Sequence, residues 1–274
     1  MNPMIRKELR QRMRERRGWV LPSLYLLVLT GAVALAYFFK TQDLFGFGGL
    51  SEPQGAEVGV TVFLTVAFTQ LGLLLLLAPV FSAGAITIEK EQRTLAGLLT
   101  SLLTSADIWW GKFVASLLFL SLLLVSALPV LGLTFALGGV GWRELSLATL
   151  CTLVILASMC AVGLYCSSYF RRSVHATAVS YAVVIALSVL TFVVTLLATW
   201  YWQQEAGPMK TREEAPDYLG YPLLLNPFVT VAMVFVRTEE GYPTWALSLK
   251  LFAALGCLAA AFALRNLERG GEQV

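Results

Sequence analysis

Charge is scarce in this sequence: Asp, Glu, Lys and Arg make up 14% of its 274 residues, where a soluble domain carries about 25%. Histidine occurs once, at His175. There is no His-x-Glu, no HExxH, no Asp pair at helical spacing, no GxSxG and no GxxxxGK[ST]. Metal-assisted hydrolysis, serine-hydrolase chemistry and nucleotide hydrolysis thus lack the residues they require, so no catalytic residue and no metal site are expected. His175, beside Arg172 at the end of an apolar run, reads first as a solvated or capping residue. The four cysteines (Cys151, Cys160, Cys166 and Cys257) lie inside apolar runs without metal-ligand spacing, as reduced core residues do.

What is abundant is apolar: 57% of the chain is hydrophobic and the mean hydropathy is +0.72. The excess is gathered in runs of roughly 20 or more residues, the length that crosses about 30 Å of hydrocarbon. The fold class expected is an all-α polytopic membrane protein with six spans, at 19–39, 60–88, 113–137, 145–170, 174–201 and 244–264. Together they form one transmembrane domain, 19–264, followed by a tail, 265–274. No cleavable signal peptide is read at the start, because the basic segment is long and the run behind it is of spanning length. Pro79 and Gly84 are expected to bend the inner end of the second span, and Pro129 to kink the third.

Residues 1–18 form a basic segment with an apolar stripe at Ile5, Leu9 and Met13. Arg6, Lys7, Arg10, Arg14 and Arg17 suit a helix lying on anionic lipid, or a tail that orients the first span. Its place directly against a span speaks against nucleic acid as a partner. The run 222–236 is short and interrupted by Asn226-Pro227; it is expected to be a re-entrant or surface helix rather than a crossing. With six spans, Lys and Arg divide fourteen to five between the two sides, Lys250 within the last span aside. The richer side carries both termini, the 89–112 loop and Arg171-Arg172, which places them in the cytoplasm of a cell membrane.

The 89–112 loop interrupts the apolar pattern. It opens on Glu89, Lys90, Glu91 and Arg93, and continues with Leu95, Leu98, Leu99, Leu102 and Leu103 on one helical face. It closes on Trp109, Trp110 and Lys112. A short amphipathic helix flanked by ions either lies on the membrane surface or presents its face to a partner.

Three stretches resemble the permease subunit of an ABC-2 (type V exporter) ABC transporter. NPMIRKELRQRMRERRGW resembles the family's elbow helix ahead of the first span. AGAITIEKEQRTLAGLLTSLLTSADIWWGKF resembles its loop between spans two and three, with Leu103 where proline is common. LLLNPF resembles a segment of its external re-entrant region between spans five and six. The resemblance implies a cytoplasmic coupling helix that docks on a separate ABC ATPase. Glu89, Glu91, Arg93 and Thr94 then match the charged turn, Leu95, Leu98 and Leu99 the docking helix, and Gly111-Lys112 the return into span three. ATP and Mg would be bound by that partner and no cofactor by this chain, which itself would be no enzyme.

The resemblance also implies two permeases per transporter, as a homodimer or with a related permease, in a bacterial inner or plasma membrane. The pathway would run between them, lined from spans two and five by Phe63, Phe68, Leu71 and Phe192, for an amphipathic or lipid-like cargo. Two other classes share part of the pattern. A membrane scaffold that anchors an ATPase has the same loop, and an intramembrane lipid-modifying enzyme would need a catalytic constellation that the sequence does not hold.

Overall fold

The computed structural model describes residues 17–45, 55–93, 104–136, 140–206, 217–235 and 244–271. Among them the chain is helical throughout, without a strand. The helices are α1 (Arg17–Phe45), α2 (Gly55–Ser82), α3 (Thr87–Glu91), α4 (Ser105–Ser126), α5 (Leu128–Ala136), α6 (Trp142–Tyr169), α7 (Ser173–Ile185), α8 (Thr191–Ala206), α9 (Pro227–Ala232) and α10 (Thr244–Gly271). A π-turn, Ala186–Leu190, joins α7 to α8, and a 3-10 segment, Asp217–Leu225, precedes α9. Among the described residues six segments are long and apolar enough to cross a membrane: Val20–Phe39, Gly59–Glu91, Ser105–Gly132, Trp142–Tyr169, Ser173–Tyr201 and Thr244–Glu268.

α6 is the centre. Of its spanning stretch 67% is buried, against 6% for the α7–α8 span. It packs on α2, α4, α7, α9 and α10. Small residues allow that density, as they do where lipid supplies no hydrophobic drive between helices. Ser158 Oγ donates across to the Phe252 carbonyl of α10 at 2.7 Å, and Gly256 faces the Ser158 backbone so closely that an added Cβ would come within 3.2 Å of its Cα. Leu29 of α1, Leu71 and Leu74 of α2, Leu120 and Leu123 of α4, and Ile155 of α6 are wholly buried in one core.

Several spans depart from their expected form. The second is not one helix to Ile88. α2 ends at Ser82, four residues turn, and α3 follows. The third starts at Ser105 rather than Phe113. Thr104 and Asp107 make a capping box, with the Asp107 N–H donating to Thr104 Oγ1 and the Thr104 N–H to Asp107 Oδ2, each at 3.2 Å. The polar residues Asp107 and Lys112 therefore lie on the first turns of the spanning helix, not in a loop. That helix breaks at Ala127, two residues ahead of Pro129, whose missing N–H cannot continue the ladder. The last helix continues past Leu264 to Gly271, so the start of the expected tail is helical. The segment expected as one re-entrant or surface helix over 222–236 is instead a 3-10 stretch, an extended Asn226 and the short α9.

That last segment threads between spans. It packs on α2, α6, α8 and α10. Phe235 meets Phe63 with centroids 5.2 Å apart, and Phe228 meets Phe68 at 6.0 Å and lies 3.8 Å from a Cβ built on Gly72. From Phe63 to Gly72 is nine residues along α2, so the segment reaches about 14 Å along that helix at 1.5 Å per residue.

Candidate functional site: a polar knot at one end of the spans

Spans two to five meet at the break in the second, residues 81–91. Ending α2 at Ser82 leaves backbone groups that an apolar environment would penalise. Side chains of α4 and α6 take them up. The N–H groups of Ile86 and Thr87 both donate to Ser167 Oγ of α6, at 2.8 and 3.0 Å. The Phe81 carbonyl accepts from Ser116 Oγ of α4 at 2.9 Å. Ser82 folds its hydroxyl back on the Ala78 carbonyl and sits directly against Gly163 of α6, where a Cβ would clash.

Four charged side chains then tie the break to its neighbours. Lys112 of α4, 2% exposed at its side chain, donates to Glu89 Oε1 and to the Ala85 carbonyl, both at 2.7 Å. Lys90 places its ammonium on the carbonyls of Ser167, Ser168 and Phe170, the last turn of α6. Glu91 accepts from the Ser173 N–H, the first of α7, at 2.7 Å. Adjacent residues of opposite sign thus meet the two helix ends that want them, a cation at a C-terminus and an anion at an N-terminus. Together they fix the corner Phe170–Arg172 between spans four and five. Arg93, at φ 57°, closes α3 in the left-handed conformation usual just beyond a helix end. Trp109, stacked on Phe113 with centroids 5.0 Å apart, floors the knot, and Trp110 points outward.

The charged residues foreseen as partner contacts are therefore divided. Glu89 turns inward onto Lys112, while Glu91 and Arg93 are both exposed, Glu91 with one oxygen on the Ser173 N–H. Thr94, Leu95, Leu98 and Leu99 lie outside the described residues, as do Arg6, Lys7, Arg10 and Arg14; Arg17 is the first residue of α1. Of the four expected lining residues, Phe63 and Leu71 are buried in the protomer core, Phe68 packs on Phe228, and Phe192 stands apart, half exposed on α8. The structure brings together three residues that sequence did not single out for a role: Lys90, Ser167 and Ser116. Their partners lie 35 to 81 residues away, beyond any periodicity. The Thr104-x-x-Asp107 box was the one local signal available for where span three begins.

Chemically, the knot positions the end of α6 against the start of α7. Among the described residues no group of His, Cys, Asp and Glu could hold a metal. Cys151, Cys160 and Cys166 are buried free thiols within α6.

The model of the family described as "ABC-2 family transporter protein" matches residues 3–264. The chain belongs to that family. No curated protein among those searched matches it. As an ABC-2 family member it is a multi-pass membrane component of an ABC transporter, a kind of subunit that works with an ATPase and is itself generally non-catalytic. The knot stands where span two ends and the first turns of span three pack against it.

Proposed function

We propose that this permease serves an ATP-driven exporter and that the 81–91 knot carries motion from a separate cytoplasmic ATPase to spans four and five. One observation carries the proposal: Lys90 and Glu91, consecutive residues of α3, hold the two ends of the Phe170–Arg172 corner. A push on the connection beyond Arg93 then moves the end of α6 and the start of α7 together, since packed helices linked by short polar bonds shift as units.

The docking face is assigned to Leu95, Leu98 and Leu99 with Arg93 and Thr94 at its rim. Apolar seats with charged rims fix both affinity and register. Glu89 holds Lys112 within the knot, and the exposed Glu91 joins Arg93 at the rim. ATP and Mg belong to the partner, and both termini of the permease lie in the cytoplasm of a cell membrane, with the basic start of the chain on its lipids. Two permease copies, or this chain and a related one, enclose the pathway. The α7–α8 span supports this, because its apolar face, including Phe192, is left uncovered by the protomer. With Phe63 and Leu71 in the core, the lining falls to this face and to Phe68, an apolar surface suited to an amphipathic or lipid-like cargo.

A transport assay separates the exporter from an ATPase anchor. The complex purified from its native membrane is placed in liposomes carrying a fluorescent short-chain phospholipid. Movement of the probe between leaflets on addition of ATP, absent with a non-hydrolysable analogue, is expected. Steady ATP hydrolysis with no movement of the probe would assign the anchor instead.

A further inference from the structure

Far from the knot, a second polar cluster lies in the middle of the spans. Asn226 is buried, and all of its side chain is engaged. Its Oδ1 accepts from the N–H of Phe228 and of Val229 at 2.9 and 3.3 Å, capping α9 with Pro227 in the first helical position. Its Nδ2 donates to the Ser188 carbonyl at 2.8 Å and to Thr191 Oγ1 at 3.0 Å. Ser188 sits inside the π-turn Ala186–Leu190, closed by the Thr191 N–H on the Ala186 carbonyl. This turn falls midway along the span Ser173–Tyr201. A single amide therefore caps the inserted segment and clasps the one irregular turn of span five.

We propose that this clasp is the hinge of a conformational switch: Asn226 holds span five in its π form, and withdrawal of the 217–235 segment lets the turn relax to α. A π-turn is one residue too many in an α ladder, and the carbonyl it displaces needs a donor where no water supplies one. That carbonyl is Leu187's, which accepts from Thr191 Oγ1 at 2.7 Å, and the Asn226 amide fixes this hydroxyl by donating to it and to the neighbouring Ser188 carbonyl. Without it, the ladder recovers its bonding by absorbing the extra residue. The outer half of the span, from Thr191 to Tyr201, then turns by about 100°, the rotation of one residue at 3.6 per turn. The rotated half carries Phe192, Leu196 and Trp200, now exposed, to a new face, and turns Thr195, now buried, outward. The buried Ser188 hydroxyl, which has no hydrogen-bond partner in the clasped form, marks the same turn as incompletely bonded.

The test needs neither cargo nor ATPase. Single cysteines at positions 192 to 199, in the full chain with its native cysteines replaced, are spin-labelled in lipid nanodiscs and their accessibility to oxygen is measured. The unaltered chain is expected to show its minimum at Thr195. Asn226→Ser keeps a capping oxygen and loses both donors. It is expected to move the minimum to an adjacent position and raise accessibility at 195 several-fold. Deleting Val189 in that variant removes the extra residue and is expected to return the minimum to Thr195. A minimum that stays at Thr195 in Asn226→Ser, or that the deletion does not restore, overturns the proposal. Should Asn226→Ser fail to accumulate, the deletion is expected to recover folded protein, and no recovery equally overturns it.

Discussion

Replacing Lys112 with methionine is expected to destabilise the protein by about 3–5 kcal/mol, the usual cost of leaving one partner of a buried ion pair behind. Lys112 is almost fully enclosed and Glu89 is 19% exposed at its side chain, so solvent does little to compensate the carboxylate that remains. The same change removes the donor to the Ala85 carbonyl in the break of span two, where no helix bond replaces it. The pair is not expected to be worth its burial against an apolar substitute. Lys112→Met combined with Glu89→Gln should recover most of the loss, because a neutral, well-packed replacement often matches a buried ion pair. Thermal unfolding in a mild detergent, read for both single variants and the double, measures the difference. A loss in the double equal to the sum of the singles would contradict coupling between the two residues.

Gly163→Val is expected to be the next most damaging change, at about 1–3 kcal/mol for forcing volume into a packed contact. A Cβ at Gly163 would fall 1.9 Å from Ser82 Oγ and 2.8 Å from Ser82 Cβ. The hydroxyl could swing aside; the Cβ could not without moving the end of α2. Since that end leads into the knot, the displacement should also weaken the bonds from Ile86 and Thr87 to Ser167. Gly132→Ala in α5 is the control, with nothing within 4 Å of an added Cβ, and should be neutral or gain up to about 1 kcal/mol in helix propensity. Gly163→Ala with Ser82→Gly should restore stability toward that of the unaltered chain. Equal melting temperatures for Gly163→Val and Gly132→Ala would refute the close approach.

The spans themselves are legible from residue type and length, because crossing hydrocarbon imposes a run of apolar residues whatever the neighbours are. Local capping chemistry is legible too. Thr104 and Asp107 announce the start of α4, and Asn226-Pro227 is a capping residue followed by proline at the first helical position, although the pair also passes for a simple break in a short apolar run. What sequence conceals is partnership. Glu89 and Glu91 look like surface charges because they alternate with Lys90 and Arg93 in a polar loop. Their anchoring roles depend on Lys112 and Ser173, which only the packing of α4 and α7 brings close. Span five hides its π-turn for the same reason: ALSVL is an ordinary apolar stretch, and the irregular turn rests on an amide 38 residues further on. Phe63 and Leu71 are equally mute, since an apolar side chain on a spanning helix suits lipid, a pathway or a core alike.

In the proposed function an ATPase grips the connection between spans two and three through its leucine face. The most direct measurement is recovery of the full chain from its native membrane in mild detergent, beside a variant with Leu98→Asp and Leu99→Asp. The unaltered chain is expected to bring down a P-loop ATPase, and the variant to remain folded, with an unchanged melting temperature, while losing it. An ATPase retained at full yield by the variant, or recovered with neither protein, would contradict the claim.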